Sequence, residues 1–140
     1  MNTTTIHHGR NARPEAVERA EAGAKAWRAA GHAQRLASAD HRDFYALAGD
    51  LTDTLAAVAG LAEVLAWQVA HYADGRPVCD DSQVVDPRER LDAAALDLHE
   101  LAARARHAAR SAHTFWSRIS HIGLDDQPAA IAPGRAGVPR

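Results

Sequence analysis

Residues 86–123 read DPRERLDAAALDLHELAARARHAARSAHTFWSRISHIG, and both ends of a long helix can be recognised in this stretch. Asp86 is a favoured N-cap, because its carboxylate can accept the free amide hydrogens of the first turn. Pro87 suits the first helical position, where its missing N–H is not needed. Gly123 follows an apolar residue and predicts a left-handed C-cap. The stretch therefore predicts one helix over about residues 87–122.

Apolar residues recur every seven positions along this predicted helix. A repeat of this length keeps one side of a helix toward a partner helix, so it predicts a packing seam. One row of the seam is Leu91, Leu98, Ala105, Ala112 and Ile119, and the second row is Ala94, Leu101, Ala108, Phe115 and Ile122. A flanking row of Ala95, Ala102, Ala109 and Trp116 widens the stripe.

A second long helix is predicted over about residues 40–73. Ser38 or Asp40 can cap its start, and the segment 73–77, ADGRP, ends it. Its predicted seam combines a row of Phe44, Leu51, Val58, Leu65 and Tyr72 with a row of Leu47, Thr54, Leu61 and Gln68. Ala48, Leu55, Ala62 and Val69 form the flanking row.

Two helices of similar length joined by about a dozen residues predict an antiparallel hairpin. Centring the connection near Asp80 places large residues of the earlier helix against alanines of the later one, which fills space without voids. The facing pairs in this register are Leu47 with Ala112, Leu51 with Ala108, and Leu65 with Ala94. The same register predicts an ion pair between Asp43 and Arg118.

An additional N-terminal helix is predicted over about residues 14–37, where Pro14 suits a helix start and Trp27 is the largest residue of a thin apolar stripe. The fold class is therefore all-α: a long antiparallel hairpin with this extra helix, assembling into a helical bundle. Residues 14–123 are expected to form one helical domain. The segments 1–13 and 124–140 are expected to be flexible.

Composition narrows the classes of function. The net charge of −2 lacks the basic excess that nonspecific nucleic-acid binding needs, so a nucleic-acid partner is not expected. One cysteine, Cys79, allows no intramolecular disulfide. Residues 1–13 lack the apolar core of a signal peptide, and the apolar run 54–70 is short for a membrane span and is interrupted by Glu63. We expect a cytoplasmic protein without membrane contact.

A second stripe on the 40–73 helix is the candidate interface. Gly60, Val64, Trp67 and His71 lie on a side that the hairpin partner does not cover, and Trp is a frequent interface anchor. Two occupants stay open. The N-terminal helix could cover the stripe through Trp27 within one chain, or a second copy could do so in a four-helix bundle. A homo-oligomer is expected, with a dimer favoured.

Histidines invite a metal hypothesis that their spacing does not support. His99, His107, His113 and His121 are eight, six and eight residues apart. A helical chelate needs ligands three or four residues apart, so that they meet on one face. We expect solvated histidines, no metal site and no other cofactor.

Arg106 and His113 are separated by six residues. This spacing is similar to the Arg-x4–6-His signature of HEPN-type ribonucleases, which are small helical bundles that dimerise to form a composite site. The resemblance implies that Arg106 and His113 carry RNA cleavage, with His113 as the acid–base group.

The function predicted from the sequence is a non-catalytic helical interaction protein that self-associates and can bind a larger protein partner. The alternative is the HEPN-like ribonuclease or a nucleic-acid-associated accessory protein. Neither reading includes a small-molecule substrate, since the chain carries no glycine-rich phosphate loop and no Gly-x-Ser-x-Gly elbow.

Overall fold

A computed structural model describes residues 12–123, and in this range the chain is all-α. Its helices are α1 (Glu15–Leu36), α2 (His41–Ala70) and α3 (Pro87–Ile119). The predicted fold class is confirmed. α1 belongs to one compact unit that runs to Ala39, while α2 and α3 form a second unit from Asp40. The predicted flexible segments 1–13 and 124–140 lie, apart from residues 12 and 13, outside the described residues.

Helix α1 is 22 residues long and contains no buried residue. The carbonyl of Pro14 accepts the first amide hydrogen bonds of the helix, so the predicted start at this proline is confirmed. Two ion pairs between residues one turn apart stabilise this exposed helix: Arg19 binds Glu15, and Lys25 binds Glu21. Such pairs contribute a few tenths of a kcal/mol each, about 0.2–0.5.

Both hairpin helices begin at the predicted aspartates. Asp40 Oδ1 accepts a hydrogen bond from the Arg42 amide at 2.8 Å. Asp86 Oδ1 accepts one from the Arg88 amide at 2.8 Å, and Pro87 occupies the first helical position. A side-chain acceptor at this position stabilises a helix by about 1 kcal/mol.

The end of α3 differs from the prediction. The helix ends at Ile119, where the Ser120 amide still donates to the Trp116 carbonyl and Ser120 Oγ donates to the Ser117 carbonyl at 2.7 Å. Because the chain already turns at Ser120, Gly123 does not form a left-handed cap. Among the described glycines, Gly75 has a positive φ, 66°, at the end of the turn that follows α2.

Helices α2 and α3 pack side by side in opposite directions, which confirms the predicted hairpin. Three cross-helix contacts fix this direction: Tyr45 with Trp116, Glu63 with Arg106, and Ala73 with Arg88. Two of these contacts agree with the predicted register to within one turn, and the long side chains of Glu63 and Arg106 meet about three turns from it.

The fully buried residues between the helices are alanines, and the predicted contact of leucines with alanines was wrong. The buried residues are Ala48, Ala59, Ala62 and Ala66 on α2, with Ala95, Ala102 and Ala105 on α3. Leu51 and Leu65, which were expected to contact α3 alanines, are exposed. α2 is turned about its axis by one sequence position, so the predicted flanking row faces α3. Alanine opposite alanine lets two helix backbones approach closely without steric conflict.

Asp80 organises the connection between α2 and α3. Its side chain is only 3% exposed. Its carboxylate accepts hydrogen bonds from Ser82 Oγ at 2.7 Å, from Arg90 Nη2 at 3.0 Å and from the Val85 amide at 3.3 Å. The Ser82 hydroxyl, with the Arg90 guanidinium and nearby amides, holds the pKa of Asp80 well below its usual range. One carboxylate therefore joins the loop to the first turn of α3.

Candidate interaction surface

A row of large apolar side chains runs along each hairpin helix and is open to solvent. On α2 and the turn after it the row is Leu51, Val58, Leu61, Leu65 and Tyr72; on α3 it is Leu101 and Phe115. The exposed members are between 39% and 53% accessible. We call these two rows the leucine face.

Both rows lie on the same side of the hairpin. At 100° per residue, each row is turned by roughly a quarter circle from the alanine seam of its own helix, and the antiparallel direction brings the two rows together. A cavity of about 590 Å³ beside the loop shows this arrangement, since Tyr72, just after α2, and Ala94 of α3 line it together. The leucine face is therefore one surface, built by two helices.

The opposite side of the hairpin is polar. Glu63 lies there and accepts a hydrogen bond from Arg106 Nη1 at 3.0 Å, while His99 Nδ1 lies 3.3 Å from its other carboxylate oxygen. The sequence did not indicate this cross-helix contact, because Glu63 was interpreted only as an interruption of an apolar run. In this part of the structure Asp43 and Arg118 do not form the ion pair that the sequence predicted.

The two residues of the predicted ribonuclease pair are placed on this polar side, two turns apart on α3. Arg106 is engaged by Glu63 of α2. The His113 ring packs edge-on against Trp116, with ring centroids 5.8 Å apart. Each side chain thus has a neighbour inside the hairpin, and both are still exposed to solvent.

The predicted interface stripe lies on the side of α2 that faces away from α3. Gly60, Val64, Trp67 and His71 are all exposed, and Trp67 is 65% accessible. The indole of Trp67 stacks on the His71 ring, with 4.7 Å between centroids, and His71 Nδ1–H donates to the Trp67 carbonyl at 2.8 Å. Trp27, the fifth predicted residue, is half-buried on α1. Whether any partner covers this stripe stays a prediction.

No family model matches this chain, and no curated protein or solved structure does either. Within residues 12–123 no group of three or more His, Cys, Asp or Glu side chains is placed to hold a metal ion. Cys79 is a free, exposed thiol in the loop between α2 and α3.

Helix α2 is long and apolar enough to cross a membrane, by length and composition only. The core helix of a soluble protein can have the same length and composition. In the most apolar 18-residue segment of α2, however, only 17% of the residues are buried. Because α2 is apolar and mostly not buried within the hairpin, what binds to the leucine face bears directly on function.

Proposed function

We propose that this protein is a non-catalytic helical interaction protein that self-associates through the leucine face. The observation that carries the proposal is the distribution of side-chain size. The residues buried between α2 and α3 are alanines, while the leucines, Phe115 and Tyr72 are half-exposed on one side. Among the described residues no large side chain is fully buried. Because the hydrophobic driving force scales with apolar area, covering this face stabilises the folded chain.

The leucine face approaches the size of a stable interface. It runs from Leu51 to Tyr72, so it is about 32 Å long at 1.5 Å per residue. Two helices about 10 Å apart give a width of about 20 Å. The resulting area of roughly 640 Å² is somewhat below the ~800 Å² per partner that standard protein interfaces bury.

A second copy of the chain is the simplest cover for this surface. The middle of the face is apolar on both helices, and a second hairpin presents the same chemistry. Two hairpins packed face to face form a four-helix bundle, an arrangement in which apolar rows from all four helices meet. The stripe around Trp67 stays open in this arrangement and is the surface that we assign to a larger protein partner.

Light scattering on Leu65→Asp and Leu101→Asp tests the proposal. The matched control is Leu96→Asp, because Leu96 is 68% exposed on α3 but lies outside the leucine face. We expect the wild type and the control to be dimeric, and both face variants to be monomeric with helical circular dichroism. A monomeric wild type between about 1 and 100 μM contradicts the proposal, as does a dimer that both face variants leave intact.

Vesicle flotation separates self-association from membrane binding. An apolar surface on a helical hairpin could also rest on lipid. We expect the wild-type protein to remain at the bottom of a density gradient with neutral and with anionic vesicles. Flotation that is lost in Leu65→Asp and kept in Leu96→Asp would assign the leucine face to a membrane instead.

The ribonuclease alternative has a direct test as well. Arg106 and His113 are both solvent-accessible on the polar side, so an RNA substrate could reach them, and this observation supports the alternative. Incubation with structured RNA should give no cleavage by the wild type. Cleavage that Arg106→Ala and His113→Ala both abolish, while Arg110→Ala retains it, would replace the interaction role with catalysis.

A further inference from the structure

We infer that two copies pack with their interhelical loops at opposite ends, so that α3 lies against α3 of the second copy. This inference rests on the proposed self-association and specifies its geometry. Two hairpins related by a two-fold axis can pack face to face in two ways. With the loops at the same end, α3 opposes α2 of the second copy; with the loops at opposite ends, each helix opposes itself.

The charged residues at the border of the leucine face distinguish these arrangements. The α3 border carries Asp97 and Arg104, which are exposed and one heptad apart. Arg104 also binds Glu100 of its own helix. At the same level, the α2 border carries Leu61 and Gln68, neither of which is charged.

With the loops at the same end, the α3 border meets the α2 border of the second copy. Asp97 would then lie against Gln68 and Arg104 against Leu61, and neither would meet an opposite charge across the interface, although Arg104 would keep Glu100 of its own helix. Removing a charged group from water without a partner is unfavourable. The same-end arrangement is therefore unfavourable for the charged residues of the α3 border.

With the loops at opposite ends, each border meets its own copy. Asp97 of one chain then lies opposite Arg104 of the other, and symmetry produces this pair twice. Near the axis the α2 borders meet through Leu61 and Gln68, which are compatible with an apolar contact; the exposed Asp50 of the same border lies about three turns from Leu61. Opposite charges across an interface fix orientation and register more than they add affinity.

The position of the two-fold axis is consistent on both helices. Midway between Asp97 and Arg104 lies Leu101, so the axis passes near this residue on α3. Glu63 contacts both His99 and Arg106, which places this part of α2 at the same level as Leu101. The exposed α2 row, from Leu51 to Tyr72, is centred there too. A single two-fold axis therefore brings the charged borders of the two copies opposite each other and does the same for their apolar rows.

A charge-swap experiment tests the inference on the full chain. Asp97→Arg and Arg104→Asp should each weaken the dimer about three- to thirtyfold, as expected for two exposed ion pairs. The double variant, Asp97→Arg with Arg104→Asp, should restore it. Asp92→Arg is the control for the change in charge, because Asp92 is exposed on the polar side of α3. Additive losses in the double variant, measured by sedimentation equilibrium, contradict the inference.

Oxidative cross-linking supplies a second measurement. In a Cys79→Ser background, Leu101→Cys should give a disulfide-linked dimer, since the two positions meet near the axis. The native Cys79 should not cross-link within the dimer, because the loops would be on the order of 30 Å apart or more. Efficient cross-linking through Cys79, and none through Leu101→Cys, would establish the same-end arrangement. That outcome overturns this inference and leaves the proposed function standing, whereas a monomeric wild type removes both.

Discussion

At the scale of single residues, Asp80 has the most defined role in the hairpin. Its buried carboxylate holds Ser82, Val85 and Arg90 together, which ties the loop to α3. A loop without regular structure depends on such contacts, because its backbone gains little from repeating hydrogen bonds. Asp81, its neighbour, is exposed and provides a matched comparison.

Replacing Asp80 should destabilise the hairpin. Asp80→Asn removes the charge that the Ser82 hydroxyl and the Arg90 guanidinium bind, so thermal unfolding should shift to lower temperature, while Asp81→Asn leaves it unchanged. The pKa of Asp80 is lowered in the folded chain, so its contribution is present above the unfolded pKa, about 3.9, and is lost as pH falls below it. A wild-type denaturation series from pH 7 to pH 2 should show that loss only below about pH 4. Equal effects of both substitutions would contradict this role.

Gly60 tests whether a helix approaches α2 closely on the Trp67 side. A Cβ atom added at Gly60 meets nothing within 4 Å, while one added at Gly49 meets the Trp116 ring at 3.6 Å, an ordinary contact. Alanine favours helix over glycine by about 1 kcal/mol, so both Gly60→Ala and Gly49→Ala should raise the free energy of unfolding in urea. If Gly60→Ala alone weakens binding of a partner, that partner packs against the glycine.

At the scale of the helices, the alanine seam makes a specific prediction about size. Ala102 is fully buried between α2 and α3, whereas the adjacent Ala103 is exposed. Ala102→Leu should destabilise the hairpin by about 1–3 kcal/mol, because extra methylenes force two close backbones apart. Ala103→Leu should change stability by less than about 0.5 kcal/mol. Chemical denaturation of both variants measures the difference, and similar values for the two would show that the seam lies elsewhere.

The sequence predicted the helix starts and the hairpin well because these depend on local chemistry. Asp40, Asp86 and Pro87 act within one turn of their own positions, and the loop length alone favours an antiparallel pair. The rotation of α2 was not predictable in this way. Its apolar stripe is three rows wide, and periodicity does not say which adjacent rows face the partner.

For the candidate surfaces too, local features could be predicted from the sequence and the packing between the helices could not. The Trp67 stripe is not covered by α3, as expected for residues that lie opposite any seam that the heptad allows, and its role as an interface stays a prediction. The leucine face was missed, because the sequence assigned Leu51 and Leu65 to the hairpin interior. Glu63 was missed for another reason: its partners Arg106 and His99 are about 40 residues away in the chain, and only the packed hairpin brings them together.

At the scale of the whole molecule, self-association should couple stability to concentration. A dimer that unfolds to separate chains is stabilised by mass action, so the thermal midpoint of the wild type should rise across a hundredfold increase in concentration. Leu65→Asp should show a lower midpoint that does not depend on concentration. Differential scanning fluorimetry from about 1 to 100 μM measures both, and a wild-type midpoint that is independent of concentration contradicts the proposed assembly.

The alanine seam also has a calorimetric consequence. The heat capacity change of unfolding follows the apolar area that becomes hydrated, and globular proteins give about 12–15 cal/mol/K per residue. A hairpin whose fully buried residues are alanines hydrates less new apolar area on unfolding than an ordinary core does, so its stability curve should be flatter. The steeper dependence of stability on temperature that is usual for a globular protein should then appear only when two copies of the chain associate.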